Sequence, residues 1–136
     1  MLKIFERIIK GKQRILDENL KKYGLSPKNV KRFWKDHSNK EIIFVTTHNT
    51  IVLKSNWDSL DMFEFFRNLN MSIWAEDQYI NISLVKSTRR YFSKRPYRLM
   101  LYFMDNTKIK LSDNYQAYSL KHLNDRIRDL MNSNSI

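Results

Sequence analysis

Three histidines are the side chains best suited to bind a transition metal, and their spacing does not bring them together. His37, His48 and His122 lie far apart in the sequence, and the chain has no cysteine that could join them as a ligand. Zinc sites need several such ligands at short, regular spacings. We therefore expect each histidine to be structural or solvated, with His48 in a hairpin turn, and we expect no bound metal.

A row of carboxylates is the second place where chemistry could occur. Asp58, Asp61 and Glu64 are three residues apart, so on a helix they would share one side. Such oxygens could hold Mg²⁺ in a nuclease. Acidic residues also collect near the start of a helix because they complement its dipole. The second explanation requires nothing beyond the helix itself, and we favour it.

The motifs of common enzyme classes are absent from the sequence. Gly11 and Gly24 are the only glycines, so a glycine-rich phosphate-binding loop cannot form. The serines are not placed in a G-x-S-x-G context. We therefore predict a protein that is not an enzyme and that uses no cofactor.

Charge is the strongest functional signal in the chain. The formal net charge is +11, and it is unevenly distributed. Residues 1–40 carry twelve Lys and Arg against four acids, residues 41–85 carry two against six, and residues 86–98 carry six with no acid. Dense charge of one sign repels itself unless a partner neutralises it. Two acid-poor clusters therefore indicate a polyanionic partner.

Composition indicates a compact α+β protein. The chain has 136 residues, 42% of them apolar, with two glycines and two prolines. This is enough apolar material for a core, but too few turn residues for a β-sandwich. We expect a basic helical segment over 1–40 and an α+β body over 41–136, which could form one continuous domain. The lack of cysteine, of a signal peptide and of any apolar run longer than Leu99–Met104 predicts a soluble, cytoplasmic protein.

Hydrophobic periodicity predicts a helical N-terminal segment followed by an antiparallel sheet with a C-terminal amphipathic helix. Helices are expected over 2–23, where Gly11 either bends or divides the helix, and over 27–36, 59–70 and 118–132. Strands are expected over 42–47, 50–54, 79–85, 97–104 and 107–112, with a basic loop over 86–96. The segment 59–70 also has the alternation of a strand, although we favour a helix there.

Two pairs of predicted strands, 42–47 with 50–54 and 97–104 with 107–112, form hairpins that share a short sequence pattern. Asn49-Thr50 with Val52 and Ser55 matches Asn106-Thr107 with Ile109 and Ser112, and a Ser-Leu pair at the expected start of a helix follows each hairpin. A duplicated ββα unit would explain the match, and so would chance similarity between two ordinary hairpins.

Residues 16–34, LDENLKKYGLSPKNVKRFW, resemble a helix-turn-helix segment of DNA-binding regulators. In this comparison the first helix ends at Tyr23, Gly24 makes the turn, and Ser26 caps a second, recognition helix. The resemblance implies that exposed residues of that helix face DNA: Pro27, Lys28, Asn29, Lys31 and Arg32. Of these, Lys28, Asn29, Lys31 and Arg32 are the predicted binding residues, together with Lys35, which follows the segment. The family usually has a small residue where this chain has Leu20, so an ordinary corner between two helices is the alternative.

Residues 86–98 interleave bases with aromatic residues, a composition that suits contact with a phosphate backbone or stacking on unpaired bases. The candidate binding residues of this segment are Arg89, Arg90, Tyr91, Lys94, Arg95 and Arg98. The alternative is a solvated loop between two strands whose aromatic residues, Tyr91, Phe92 and Tyr97, anchor it to the core.

From Glu41 onward the order of elements also resembles a bacterial pleckstrin-homology-like domain, in which several strands lead into one C-terminal helix. That resemblance implies a strand over 59–66 and an interaction module. Its basic loop, residues 86–96, would face an anionic membrane surface or an acidic protein partner. The basic amphipathic N-terminal helix could lie on a membrane as well.

Together these features favour a non-enzymatic nucleic-acid-binding protein, a small regulator or accessory factor that binds duplex DNA first and single strands second. If about six phosphates are neutralised, the logarithm of the binding constant should fall with the logarithm of salt concentration at a slope of about −5. The pleckstrin-homology-like interaction module is the alternative.

Overall fold

A computed structural model describes residues 2–94, 96–113 and 117–134. The chain is α+β, as the sequence predicts, with an N-terminal helix, antiparallel strands and a C-terminal helix. It divides into two compact units, Met1–Leu69 and Asn70–Ile136. The helices are α1 (Leu2–Tyr23), α2 (Trp57–Arg67) and α3 (Ala117–Asn134), with a 3-10 turn at Ile82–Leu84. The strands are β1 (Val30–Asp36), β2 (Glu41–Thr46), β3 (Thr50–Lys54), β4 (Ser72–Ala75), β5 (Gln78–Asn81), β6 (Val85–Tyr91), β7 (Tyr97–Phe103) and β8 (Lys108–Asp113).

Helix α1 runs through Gly11 as one element, and the chain turns sharply at Gly24. Gly24 adopts a φ of +66°, in the left-handed region that glycine tolerates best. The backbone N–H of Leu25 then donates to the carbonyl oxygen of Leu20 at 2.8 Å, and the Leu25 side chain is buried. The predicted helix stop at Gly24 is therefore confirmed.

The prediction of a second helix over 27–36 is wrong. Residues 27–29 form a turn, and the residues that follow are strand β1, which pairs antiparallel with β2. The spacing of Val30, Phe33 and Trp34 satisfies a helix, but β-branched and aromatic side chains also fit a pleated strand. The strand prevails because pairing with β2 satisfies its backbone hydrogen bonds and because Phe33 is then completely buried among the rings of Phe44, Phe63 and Phe66.

The first unit contains the antiparallel strands β3, β2 and β1, in that order, with α2 packed on one face. The predicted hairpin is confirmed, and so is the favoured helix over 59–70, which occupies Trp57–Arg67. The predicted His48-Asn49 turn is wrong by one residue, because the Thr46 N–H donates to the Asn49 carbonyl oxygen at 2.8 Å and Thr47 and His48 are the central residues. Four rings form the core between strands and helix, with centroids 5.3 to 6.0 Å apart: Phe33, Phe44, Phe63 and Phe66.

A capping box begins α2, and two members of the acidic row have structural positions on this helix. The side-chain oxygen of Asn56 accepts a hydrogen bond from the Ser59 N–H at 2.9 Å, and the Ser59 hydroxyl oxygen accepts from the Asn56 N–H at 2.9 Å. Asp58 lies in the first turn, and Glu64 pairs with Arg67. Within the part of the chain that is described, no three His, Asp or Glu residues are placed to hold a metal ion.

The second unit is built on the antiparallel meander β6-β7-β8, with β7 in the centre. The sequence predicts β7 as a central strand, and this is confirmed. Helix α3 packs against β7 and β8 and covers one face of the meander. The core there is aliphatic, with further residues from the β4-β5 hairpin and the 3-10 turn: Ile73, Ile80, Ile82, Leu99, Leu101, Leu111, Leu120 and Ile127.

The prediction of a loop over 86–96 is wrong for its first half. Strand β6 extends to Tyr91 and pairs with β7 as far as Arg98. It lies at the edge of the meander, and its residues from Lys86 to Arg90 are polar or charged. An edge strand of this composition lacks the apolar alternation by which a strand is recognised in a sequence.

Both units contain a meander of three antiparallel strands followed by a helix, β1-β2-β3-α2 in the first and β6-β7-β8-α3 in the second. Asn49 and Asn106 both lie in the turn of the second hairpin of their meander. The repeated sequence pattern therefore lies at the second hairpin of both units, but it is shifted by one residue within the turn. The Thr46 N–H donates to the Asn49 carbonyl oxygen, whereas the Phe103 N–H donates to that of Thr107, the residue after Asn106.

Candidate nucleic-acid interface

The predicted binding residues between Lys28 and Lys35, which we call the first cluster, begin in the turn between α1 and β1. Lys28 is exposed there, whereas the side chain of Asn29 builds the turn. Its oxygen accepts a hydrogen bond from the Ser26 backbone N–H at 2.9 Å, and its nitrogen donates to the Gly24 carbonyl oxygen at 2.7 Å. Reading an adenine edge requires the same two groups of the amide. Asn29 is therefore committed to the turn in this structure.

Replacing Asn29 by alanine is expected to lower the free energy of unfolding by about 1–2 kcal/mol, because two hydrogen bonds of the turn are lost. The affinity of the Asn29→Ala variant for duplex DNA is expected to equal that of the unmodified chain. Urea denaturation and a binding titration of the same preparation measure the two effects. Reduced DNA affinity with unchanged stability would instead support the base-reading role that the helix-turn-helix resemblance implies.

The other residues of the first cluster lie on β1, and their side chains are buried or half-buried. Lys31 is 7% exposed. Arg32 is half-buried, which lowers its pKa, and its guanidinium lies 5.0 Å from the centroid of the Trp34 ring. The Lys35 ammonium lies 4.7 Å from the centroid of Phe63, on the opposite face of the strand from Arg32. Residues assigned to one recognition helix thus lie on a turn and on two faces of a strand.

A carboxylate lies at the end of β1, beside this cluster in the sequence. Asp36 accepts hydrogen bonds from the side-chain amide of Asn39 at 2.8 Å and from its backbone N–H at 3.2 Å. These hydrogen bonds hold the pKa of the Asp36 carboxyl below its ordinary value. A negative charge therefore lies on the same strand as the cations of the first cluster.

The second candidate cluster lies in the second unit, along β6 and the start of β7. Arg89, Arg90 and Tyr91 end β6, and Arg98 is the second residue of β7. Lys94 is exposed in the bend between the two strands. Arg95, which is also predicted to bind, lies outside the described residues.

The strand register decides which of these side chains share a surface. Residues paired across antiparallel strands lie on the same side of a sheet. Three rows result on one side: Ser87–Tyr102–Lys108, Arg89–Met100–Lys110 and Tyr91–Arg98–Ser112. This side lies opposite the core that α3 covers, since Leu99 and Leu101 alternate with the β7 members of the rows. We call these nine positions the basic sheet face.

The basic sheet face concentrates positive charge. Four of its nine side chains are exposed cations: Arg89, Arg98, Lys108 and Lys110. None of the nine residues is acidic, and these four cations form no ion pair with any described residue. One carboxylate borders the face, because Glu76 accepts a hydrogen bond from the backbone N–H of Ser112 at 2.6 Å.

The ring of Tyr91 contacts the guanidinium groups of two of the cations. The guanidinium carbon of Arg89 lies 5.4 Å from the centroid of the Tyr91 ring, and that of Arg98 lies 5.1 Å from it. Both distances are within the range of cation–π attraction. Tyr91 is half-buried and is already in contact with both arginines. Its role in this arrangement is to position the two guanidinium groups.

Two of the three aromatic residues of the segment anchor it to the core, as the alternative interpretation of 86–98 predicts, whereas Tyr91 lies on the basic sheet face. Phe92 and Tyr97 meet edge to face with centroids 6.0 Å apart, and both pack against the core of the second unit. Arg90 pairs with the buried Leu99, so it lies on the helix side of the meander, exposed at its edge. The segment 86–98 therefore both anchors itself to the core and contributes charged side chains to the surface.

Lys108 and Lys110 belong to this surface but were not among the predicted binding residues. Their alternation with Ile109 and Leu111 indicates that they point away from the core, and that prediction is confirmed. Their segment is nearly neutral overall, so charge counting does not single them out. The pairing of β8 with β7 reveals that they share a face with the arginines.

Comparison of the chain with protein-family models, with curated proteins and with solved structures gives no match. The comparisons therefore bear neither on the helix-turn-helix resemblance nor on the pleckstrin-homology-like one. Inference about function rests on the arrangement of the side chains.

Proposed function

We propose that this chain is a non-enzymatic nucleic-acid-binding protein that uses the basic sheet face, with duplex DNA as its first ligand and single strands as its second. The observation that carries the proposal is the alignment of four exposed cations on one side of the β6-β7-β8 meander, without an acid among the nine positions. Such cations repel one another, and a bound polyanion removes the repulsion. Phosphate oxygens are also ready acceptors for Arg and Lys donors.

The dimensions of the basic sheet face suit a short stretch of phosphate backbone. Neighbouring strands lie about 4.8 Å apart, and alternate residues along a strand lie about 6.8 Å apart. Three strands and three rows therefore give a surface of roughly 10 by 14 Å. A duplex carries one phosphate per strand for about every 3.4 Å of its helix axis, so a length of about 14 Å along that axis corresponds to about four phosphates of one strand. The face offers the same number of cations.

The position of Tyr91 favours phosphate contact over base stacking. Its ring is in contact with Arg89 and Arg98, so both guanidinium groups are ordered before a ligand arrives. Prior ordering reduces the entropy that is lost on binding. Single-strand binding depends on exposed aromatic rings, whereas Tyr91 and Tyr102 on this face are half-buried. These features favour duplex DNA over a single strand as the ligand of the basic sheet face.

The composition of the face also bears on specificity. Contacts to phosphate position a protein on DNA but do not read its sequence. Adenine is read mainly by the side-chain amides of Asn and Gln, and none of the nine positions carries one. Guanine is read mainly by Arg, but Arg89 and Arg98 lie against the Tyr91 ring on the surface of the sheet, an arrangement that suits phosphate contact. We therefore expect duplexes of different sequence to bind with similar affinity.

A salt titration of binding to a fluorescently labelled duplex tests the proposal. For four neutralised phosphates, the logarithm of the binding constant should fall with the logarithm of salt concentration at a slope of about −3.6. A single strand of the same length should give a shallower slope of about −2.8. Binding that does not respond to salt, or the absence of binding at low salt, would contradict the proposal.

A further inference from the structure

The first half of α1 carries an apolar face that the described chain leaves uncovered. Five of its side chains are about half exposed or more: Ile4 61%, Phe5 59%, Ile8 51%, Ile9 64% and Ile15 46%. At 3.6 residues per turn they fall within an arc of about 140° on one side of the helix. Leu20, further along the same helix, is buried. Contiguous apolar surface of this kind marks an interaction site on a folded protein.

The opposite face of this half-helix is basic. Four exposed cations fall within an arc of about 60°: Lys3, Arg7, Lys10 and Arg14. Residues 3–15 contain five bases and one acid, Glu6, which gives a net charge of +4. The fifth base, Lys12, falls within the apolar arc. The alkyl part of a lysine can lie along apolar surface while its ammonium group reaches a polar boundary.

An anionic membrane surface satisfies both faces at once. A basic amphipathic helix lies in the headgroup plane with its apolar side chains at the acyl boundary, and its cations are attracted to anionic lipid. A second copy of the chain would cover the apolar face, but the four cations on the opposite face would remain without an anionic partner from that contact. A nucleic acid would neutralise the cations but leave five apolar side chains in water.

We infer that α1, between Lys3 and Ile15, binds in the plane of an anionic lipid surface. Among the described residues no helix is long and apolar enough to cross a membrane, so the contact inferred is with the surface. It involves the first unit and none of the nine positions of the basic sheet face. A test of membrane binding by α1 can therefore fail without affecting the proposed nucleic-acid binding, and the reverse also holds.

Co-sedimentation of the full chain with vesicles tests this inference. Binding is expected to vesicles that mix phosphatidylcholine with phosphatidylserine and to be much weaker with phosphatidylcholine alone. The Lys10→Gln/Arg14→Gln variant should bind the mixed vesicles about 25-fold more weakly, since each base near an anionic surface contributes about fivefold. The Phe5→Ser/Ile9→Ser variant, with unchanged charge, should bind at least about tenfold more weakly because it loses apolar burial.

Lys121→Gln/Arg128→Gln is the matched control, because it removes two exposed charges from α3 in the second unit. Its vesicle binding should equal that of the unmodified chain. The altered positions of α1 are exposed, so circular dichroism should be the same for all variants. Equal binding to both kinds of vesicle, or undiminished binding of Phe5→Ser/Ile9→Ser, would overturn the inference. So would a concentration-dependent dimer that this variant abolishes, with no vesicle binding, since a second copy would then be the occupant.

Discussion

A Phe33→Ala substitution is expected to lower the free energy of unfolding of the first unit by about 3–5 kcal/mol. Phe33 is completely buried, and its ring centroid lies 6.0 Å from that of Phe44, 5.3 Å from Phe63 and 5.8 Å from Phe66. Truncation would remove one ring from this cluster and leave a cavity that its neighbours fill only in part. Hydrogen exchange of the backbone amides of β1 and β2 measures the loss within this unit.

Val52→Ala provides the control for Phe33→Ala. Val52 lies on β3, its side chain is 51% exposed, and its register partner Ile43 faces away from the ring cluster. This substitution should cost less than about 1 kcal/mol. Similar losses of protection in the two variants would mean that the ring cluster is not what stabilises the unit.

Elements with a strong local signal could be predicted from the sequence. The β2-β3 hairpin combines apolar strands with Asn49 in its turn, and Thr46 hydrogen-bonds to that residue. Helix α2 is predicted from its apolar spacing, and it begins two residues before the predicted start because the Asn56–Ser59 capping box ends the preceding loop. Strand β7 is long and largely apolar, which is typical of a central strand. In each case residues close in sequence determine the conformation.

Strands β1 and β6 could not be predicted in the same way, because their conformation depends on their partners. Ser26-Pro27 is a helix-start signal, but here Asn29 takes the Ser26 N–H and the chain pairs with β2 instead. Strand β6 is polar between Lys86 and Arg90, and β7 supplies its hydrogen-bond partners. Pairing with a neighbouring strand overrides local preference at both places.

The basic sheet face could likewise be predicted only in part, because its charges are visible in the sequence but the pairing of its strands is not. Charge counting locates the arginines of 86–98, and alternation predicts that Lys108 and Lys110 face outward. A shift of one residue in the register of a strand would move its side chains to the other face. The composition of the basic sheet face therefore becomes visible only when Arg89 is seen to pair with Met100, and Met100 with Lys110.

Replacing both Arg89 and Arg98 by glutamine is expected to weaken binding to duplex DNA about 60-fold at roughly 0.1 M salt, because two of four phosphate contacts are lost. The slope of the salt dependence should fall from about −3.6 to about −1.8. Both side chains are exposed, so the fold should be unaffected. Fluorescence anisotropy of a labelled duplex over a range of salt concentrations measures both effects.

The change in slope is the more informative result, because an indirect loss of affinity would leave the number of released ions unchanged. Lys121→Gln/Arg128→Gln removes the same charge from α3, on the side of the meander that the helix covers, and it should keep the slope of about −3.6. If that control reduced the slope as much as Arg89→Gln/Arg98→Gln, net charge rather than the basic sheet face would determine binding. If neither variant changed it, the contacts would lie elsewhere, with the cations of α1 as the next candidates.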